Sequence, residues 1–136
     1  MRSEHKNIQV WIAQWYHSKY VVSAEIREQN RLPDDKRHWY QPDVILRDNQ
    51  GDIVFIIEVE NDPVRKAIVG ASVLADACIG AMRQRRKPIV IFVIYTKQGI
   101  RQIHNFNSKI KLVKPYCKHL KDIAVCSVQH FKQMKL

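Results

Sequence analysis

Three carboxylates in the first half of the chain have the types and spacing of a metal site. Glu58 and Glu60 close an apolar run at residues 53–57, and Asp43 follows Pro42 at the start of another short apolar segment. If both segments are strands, Glu58 and Glu60 share one face with Cα atoms ~7 Å apart, and Asp43 lies in the strand beside them. Clustered carboxylates have raised pKa values unless a cation lies between them. Oxygen ligands favour hard divalent ions, chiefly Mg²⁺ or Mn²⁺.

A hairpin must bring these carboxylates together, and the sequence predicts one. Asp48-Asn49-Gln50-Gly51 is a strong turn signal between strands at Asp43–Arg47 and Asp52–Glu60. The second strand is continuously apolar over five residues, as expected of a central strand covered on both faces. The hairpin is therefore placed in the middle of a sheet.

Apolar spacing and capping residues predict the elements around the hairpin. They are a helix at Glu4–Lys19 with Ser3 as N-cap, a strand at Tyr20–Ile26, a loop at Asn30–Tyr40, a helix from Asp62-Pro63 to Met82, a strand at Ile89–Tyr95, a helix at Gly99–Val113 and a strand at Ile123–Val128. Trp11 and Trp15 lie on the only apolar stripe of the first helix, so we expect them in the core. The crossover through residues 53–95 predicts an α/β fold, with a mixed central sheet flanked by helices on both faces.

Length and composition limit the class of protein. A chain of 136 residues fits a single domain, 1–136, and a composition of 46% hydrophobic and 26% charged residues excludes a disordered or collagenous protein. No apolar run approaches the ~20 residues that span a bilayer. The start of the chain, Met1–Asn7, is polar, and the number of cysteines, three, is odd. These features predict a cytoplasmic protein with free, mostly buried thiols.

The charge is distributed unevenly along the chain. Residues 1–62 carry 8 basic and 11 acidic side chains, a net charge of −3, whereas residues 63–136 carry 15 basic and 2 acidic ones, a net charge of +13. The basic excess indicates an anionic partner, most often nucleic acid. The candidate phosphate-binding residues are Arg83, Arg85, Arg86, Lys87, Lys97 and Arg101. An acidic protein or a membrane surface is the other kind of partner that such a charge attracts.

The acidic motif within this order of elements resembles the PD-(D/E)xK nuclease superfamily. Pro42-Asp43 is followed after 14 residues by Glu58-Val59-Glu60, inside a predicted helix–β–β–β–helix–β arrangement. The resemblance covers about two-thirds of the chain, from Glu4 to Tyr95. It implies the restriction-endonuclease-like αβββαβ core and a Mg²⁺- or Mn²⁺-dependent endonuclease that acts on DNA, commonly as a homodimer.

The resemblance also implies roles for individual residues. Asp43 and Glu58 would bind the metal, with the backbone carbonyl of Val59 as a further ligand. A glutamate near the start of the first helix often completes such sites, and Glu4 matches that position, with Glu25 as the competing candidate. The bound ion would polarise the scissile phosphodiester and lower the pKa of the attacking water.

The third motif position departs from the family pattern, because Glu60 stands where lysine is usual. Glu60 would act as a general base or bind a second metal. Alternatively, Lys66 in the next helix would supply the ammonium from a shifted position. A catalytically inactive, nucleic-acid-binding module or partner subunit is the alternative function that Glu60 favours.

Simpler interpretations of the same residues remain open. Asp43 would be a strand-end aspartate that accepts backbone N–H groups, Glu60 an exposed residue paired with Arg65 or Lys66, and Glu4 a first-turn acid favoured by the helix dipole. A zinc site is a further alternative, and its ligands would be Cys117, His119, Cys126 and His130. Their spacing lacks the usual first knuckle of zinc sites, so we favour the carboxylate site.

Overall fold

A computed structural model describes residues 3–25, 27, 29–33, 38–61 and 65–136 of the chain, with Arg65 and Lys66 described by their backbone only. The elements are α1 (Glu4–Tyr16), β1 (Val21–Ala24), β2 (Val44–Arg47), β3 (Ile53–Glu60), α2 (Arg65–Met82), β4 (Ile89–Ile94), α3 (Lys97–Arg101), α4 (Ile103–Val113), a 3-10 turn (Lys114–Tyr116), β5 (Asp122–Ser127) and α5 (Val128–Gln133). Ile26, residues 34–37 of the predicted loop and the predicted helix start at Asp62-Pro63 lie outside the described residues.

The sheet is mixed, as the sequence predicted. Its five strands lie in the order β1-β2-β3-β4-β5. β1, β2 and β3 pair antiparallel, whereas β4 and β5 continue from β3 in parallel. Because β3, β4 and β5 are parallel, their last residues lie together at one end of the sheet: Glu60, Ile94 and Ser127.

Helices cover both faces of the sheet and form two separate cores. One core joins β-strand residues such as Ile56 and Phe92 to Ile68 of α2 and Phe106 of α4. The other joins Ile57 and Val93 to Ile12 of α1 and Phe131 of α5. β3 is buried from Ile53 to Val59, which explains its unbroken apolar run. The prediction of an α/β fold with a mixed sheet flanked by helices is confirmed.

The predicted helix at Gly99–Val113 is wrong in one respect, because it is two helices. The Thr96 hydroxyl accepts the Gly99 N–H and starts α3 before the predicted residue. The chain then leaves helical geometry at Gln102, whose ψ is 1°, and α4 begins at Ile103. Ile100 is therefore exposed, whereas Phe106 and Ile110 of α4 are buried.

The prediction that Trp15 belongs to the core is also wrong. Trp15 is 59% exposed and stacks on the outer side of Trp11, with ring centroids 5.3 Å apart. Trp11 in turn contacts Phe131 edge-on at 6.3 Å. Phe131 is fully buried and belongs to α5, a helix that the sequence analysis missed. α5 therefore fills the space that the sequence assigned to the second tryptophan.

The cysteines are free and buried, as predicted. Burial raises the pKa of the Cys126 thiol to about 11, so this thiol is protonated and unreactive at neutral pH. None of the helices in the described part of the chain is long and apolar enough to cross a membrane.

Candidate metal centre

Strand register places Asp43 and Glu58 against each other. Val44 pairs with Ile57, so Asp43 lies one step beyond β2 and opposite Glu58 of β3. The Asp43 N–H donates to Glu58 Oε1 at 2.7 Å, and the Val59 N–H donates to Asp43 Oδ2 at 2.8 Å. Each carboxylate is thus held by a backbone amide of the other strand, which fixes both side chains in position.

The first helix contributes two side chains to Asp43. His5 Nε2 lies 3.2 Å from Asp43 Oδ2, and the Gln9 amide donates to Asp43 Oδ1 at 3.4 Å. Gln9 Nε2 also lies 3.4 Å from His5 Nδ1. All of these contacts are satisfied when His5 carries its proton on Nε2 and donates it to the carboxylate. Gln9 is only 3% exposed, so this contact is part of the folded interior.

The three carboxylates of the motif have raised pKa values. For Glu58, which is 8% exposed, burial and then the negative charge of Asp43 raise the pKa to about 8. Burial also raises the pKa of Asp43, against the lowering effects of the Val59 amide and His5. The pKa of Glu60 is raised by burial and by the charge of Asp43. No lysine or arginine of the described residues forms an ion pair with any of the three.

Tyr40 adds a buried hydroxyl to this cluster. It is 7% exposed, and its hydroxyl makes no hydrogen bond of normal geometry with the described residues. Burial and then the charge of Glu58 raise its pKa well above the usual range, so the hydroxyl is neutral and lies beside the carboxylate. The neutral hydroxyl is directed at Glu58, where it partly offsets the rise in the pKa of that carboxyl.

Glu60 and Tyr95, both half-buried, form the rim of the site. The Tyr95 N–H donates to the Glu60 carbonyl at 3.4 Å, where β3 and β4 end together. Burial, followed by the charges of Glu4, Glu60 and Asp43, raises the pKa of the Tyr95 hydroxyl. Glu4 itself is exposed in the first turn of α1. Glu4 therefore lies at the rim, and its neighbour His5 is the residue that contacts Asp43.

The remaining candidate metal ligands have structural contacts. Glu25 Oε2 accepts the Asn30 N–H at 2.6 Å, and the Glu25 N–H donates to the Asp43 carbonyl at 2.7 Å. Glu25 thus supports the loop beside the site. Val59 contacts Asp43 through its amide N–H, a different backbone group from the carbonyl that the resemblance implied.

The basic candidates lie at opposite ends of strand β4. Lys97 and Arg101 belong to α3, which follows β4 at the end where Glu60 lies. The other group precedes β4 and so lies at the opposite end, ~20 Å away; its members are Arg83, Arg85, Arg86 and Lys87. There Arg86 pairs with Asp48 at 3.2 Å. Of the two groups, only Lys97 and Arg101 therefore follow the strand end at which Glu60 lies.

Two other predictions concern Lys66 and the alternative zinc site. The side chain of Lys66 lies outside the described residues. Cys117 and Cys126 are buried in the two different cores, on opposite faces of the sheet, so the four residues of the alternative zinc site do not meet. In the described part of the chain, no three His, Cys, Asp or Glu side chains converge closely enough to hold a metal ion by themselves.

Sequence reasoning missed His5, Gln9, Tyr40 and Tyr95. His5 and Gln9 are one helical turn apart on α1, which is a weak signal that these polar residues share a face. Tyr40 precedes the Pro42-Asp43 motif by two residues, and its direction depends on a loop. Tyr95 directly follows β4, a position from which its place at the rim could have been inferred once the crossover was predicted.

Comparison with known proteins assigns the chain to no family. No family model matches it, and neither curated proteins nor solved structures gave a match. The functional argument therefore depends on the geometry of Asp43, Glu58 and their surroundings.

Proposed function

We propose that the chain is a metal-dependent endonuclease that hydrolyses phosphodiester bonds in DNA, with a restriction-endonuclease-like core. Asp43 and Glu58 would hold a Mg²⁺ or Mn²⁺ ion. Glu60 would assist the attacking water, and Lys97 and Arg101, which follow β4 at the same end of the sheet, would contact the phosphate backbone. By analogy with nucleases that cut two strands, the active form would be a homodimer.

One observation carries this proposal: Asp43 and Glu58 face each other, Glu58 is buried, and no lysine or arginine of the described residues pairs with either, although His5 contacts Asp43. Burying such a pair is unfavourable unless a proton or a cation compensates the charge. Mg²⁺ commonly uses one or two carboxylates together with waters and substrate phosphates, so a site with few protein ligands fits it. The half-buried rim at Glu60 leaves room for those other ligands.

The residues around this pair have separable tasks. A bound ion would supply Lewis acidity at the scissile phosphate and a more acidic water. His5 and the Val59 amide hold Asp43, and the Asp43 amide holds Glu58, so neither carboxylate needs to reorient. Glu60 is half-buried with a raised pKa, which makes it a better proton acceptor than an ordinary exposed glutamate.

The test is cleavage of plasmid, branched and single-stranded DNA with Mg²⁺, Mn²⁺ or EDTA. We expect cleavage by the wild-type protein only with a divalent ion. Asp43→Asn and Glu58→Gln keep the oxygens that accept the Val59 and Asp43 amides but remove the charge. Because a bound metal contributes several kcal/mol to the transition state, each variant should lose activity by at least ~100-fold.

Asp122→Asn is the matched control. It removes one carboxylate at the opposite end of the parallel strands, where Asp122 pairs with Lys114. Its activity should stay within a factor of two of wild type. Equal cleavage by all four proteins would contradict the assignment of the metal site.

A nucleic-acid-binding module without catalysis is the second candidate. The observation in its favour is His5, whose Nε2 contacts the Asp43 oxygen that a metal would need. Calorimetry with Mn²⁺ separates the two functions. A nuclease site should release heat that Asp43→Asn abolishes, whereas an inactive module should give the same trace with both proteins.

A further inference from the structure

A cavity lies beside the strand that leads from the carboxylates. Its volume is about 390 Å³, and it opens beside β1 and β2. The floor is formed by the Val21–Arg47 and Ser23–Ile45 pairs of these strands. Ile45 belongs to the core under α2, whereas Val21 is 58% exposed, so the cavity lies where the helices no longer cover this face.

Two arginines line this cavity. Arg31 and Arg47 line it together with uncharged side chains, and no carboxylate of the described residues does. The Arg31 Nε is buried and has no hydrogen-bond acceptor among the residues described, while its NH2 donates to Gln29 Oε1 at 2.7 Å. The buried Nε and the bond to Gln29 hold the Arg31 side chain in place, so its guanidinium is positioned at the cavity for an anionic ligand.

The cavity is joined to the candidate metal centre by β2 and by Asn30. Side chains alternate along a strand, so Asp43, Ile45 and Arg47 share one face, with the Cα atoms of Asp43 and Arg47 ~13 Å apart. Asn30 lines the cavity and donates its side-chain amide to the carbonyls of Pro42 at 3.0 Å and Asp43 at 3.1 Å. The wall of the cavity and the backbone of Asp43 are therefore one hydrogen-bonded unit.

We propose that this cavity binds a phosphoryl group of the nucleic-acid strand that the carboxylate site acts on, with Arg31 as its main donor. The inference rests on the proposed function for the identity of the strand. A separation of ~13 Å between Asp43 and Arg47 in the cavity wall corresponds to only a few nucleotides along one strand. The cavity would thus set the distance between a bound phosphate and the cut.

Arginine suits this task because its planar guanidinium pairs with two phosphate oxygens at once. The phosphoryl group has two possible sources, an internal phosphodiester or a terminal phosphate of the same strand. Both offer the same oxygens to Arg31, and they differ only in whether a strand without a terminal phosphate binds equally well.

The experiment measures binding in EDTA, so that cleavage is not required. Fluorescence anisotropy is recorded with one oligonucleotide carrying a 5′-phosphate, a 3′-phosphate or neither. We expect Arg31→Gln to weaken binding about tenfold and to reduce the salt dependence by about one counterion. Arg27→Gln is the control, since Arg27 is exposed, carries the same charge and does not line the cavity; it should change affinity less than twofold.

Arg31→Lys keeps the charge and removes the planar pair of donors, so it should lose at least threefold even if Arg31→Gln is poorly folded. Loss restricted to a phosphorylated end identifies a terminal phosphate, and equal loss with all oligonucleotides identifies an internal one. Equal affinities for wild type, Arg31→Lys and Arg27→Gln would overturn the inference.

Failure of the proposal that the cavity binds a phosphoryl group can be distinguished from failure of the nuclease proposal. Metal-dependent cleavage by a protein whose DNA binding ignores Arg31 would remove the phosphate cavity and keep the nuclease. Arg31-dependent binding without cleavage in any divalent ion would keep the cavity and remove the nuclease.

Discussion

Glu58→Gln should make the metal-free protein more stable at pH 8 than the wild type, and change little at pH 5. The pKa of Glu58 is raised to about 8 in the folded protein, mainly by burial and by the charge of Asp43, from an ordinary value of 4.5. Between these two values the folded state holds a proton that the unfolded state has released. Stability of the wild type therefore falls as pH rises from about 4.5 to 8, and is constant with respect to this group outside that window.

The expected size is a few kcal/mol, since one unit of pKa shift is worth about 1.4 kcal/mol. For a chain of this length, each kcal/mol moves the melting temperature by about 3 °C. Thermal unfolding in EDTA at a series of pH values should therefore separate Glu58→Gln from wild type by roughly 5–10 °C at pH 8. Glutamine still accepts the Asp43 N–H, so the variant loses charge but not the hydrogen bond.

Mn²⁺ provides the second arm of this experiment. A ligand that binds only the folded state stabilises it by about 2.7 kcal/mol at 100 times its dissociation constant. Added at pH 8, the ion should raise the melting temperature of the wild type and leave Glu58→Gln nearly unchanged. Asp122→Asn, whose side chain is 49% exposed, should follow the wild type throughout. If melting temperature depended on pH in the same way for wild type and Glu58→Gln, the raised pKa that we assign to Glu58 would be contradicted.

The sheet could be predicted because its signals are local. The turn at residues 48–51 and the apolar run that follows it are contiguous in sequence, so they predict that Asp43 lies in the strand beside Glu58 without knowledge of any helix. The pattern does not show the register shift between Leu46 and Arg47, which brings Asp43 opposite Glu58 rather than opposite Ile57. Gly51 has a φ of 89°, which glycine adopts without strain, so the turn residue also matches its position. Register then determines which carboxylates meet, because a strand alternates its side chains.

The surroundings of the carboxylates could not be predicted in the same way. His5 lies 38 residues from Asp43, and the side chain that reaches the strand depends on how α1 packs across the sheet. α5 escaped prediction for a related reason. It has six residues, too few to show a helical repeat, and its place is set by one buried side chain, Phe131.

The cavity at Arg31 was invisible from sequence because it reflects incomplete coverage of the sheet. Apolar patterning predicts which residues are buried, and Ile45 is indeed 2% exposed. It does not predict where the covering helices stop. Arg47 alternates correctly with its neighbours in β2, so only the position of α2 and of the loop around Asn30 shows that this face remains open.

Asn30→Ala should destabilise the protein by roughly 3 kcal/mol, through the loss of several buried hydrogen bonds. Asn30 is 2% exposed, and its amide donates to three carbonyls, those of Ser23, Pro42 and Asp43. Its Oδ1 accepts the Ser23 hydroxyl at 2.5 Å. Alanine removes these four hydrogen bonds, so we expect a melting temperature about 10 °C lower.

Asn30→Asp and Asn107→Ala make this prediction specific. Aspartate keeps the acceptor for Ser23 but places a carboxylate against three carbonyl oxygens, so Asn30→Asp should be at least as unstable as Asn30→Ala. Asn107 donates its amide to one carbonyl, that of Val125 at 3.3 Å, and is half-buried, so Asn107→Ala should cost less than about 1 kcal/mol.

A site effect should accompany the loss of stability, because Asn30 holds the carbonyl of Asp43. At a temperature where Asn30→Ala is fully folded, Mn²⁺ affinity measured by calorimetry should fall at least threefold, while Asn107→Ala binds as the wild type does. If Asn30→Ala lowered the melting temperature but bound Mn²⁺ with unchanged affinity, Asn30 would stabilise the loop without positioning the metal centre. The Asp43 carboxylate would then owe its position to the Val59 amide, His5 and Gln9.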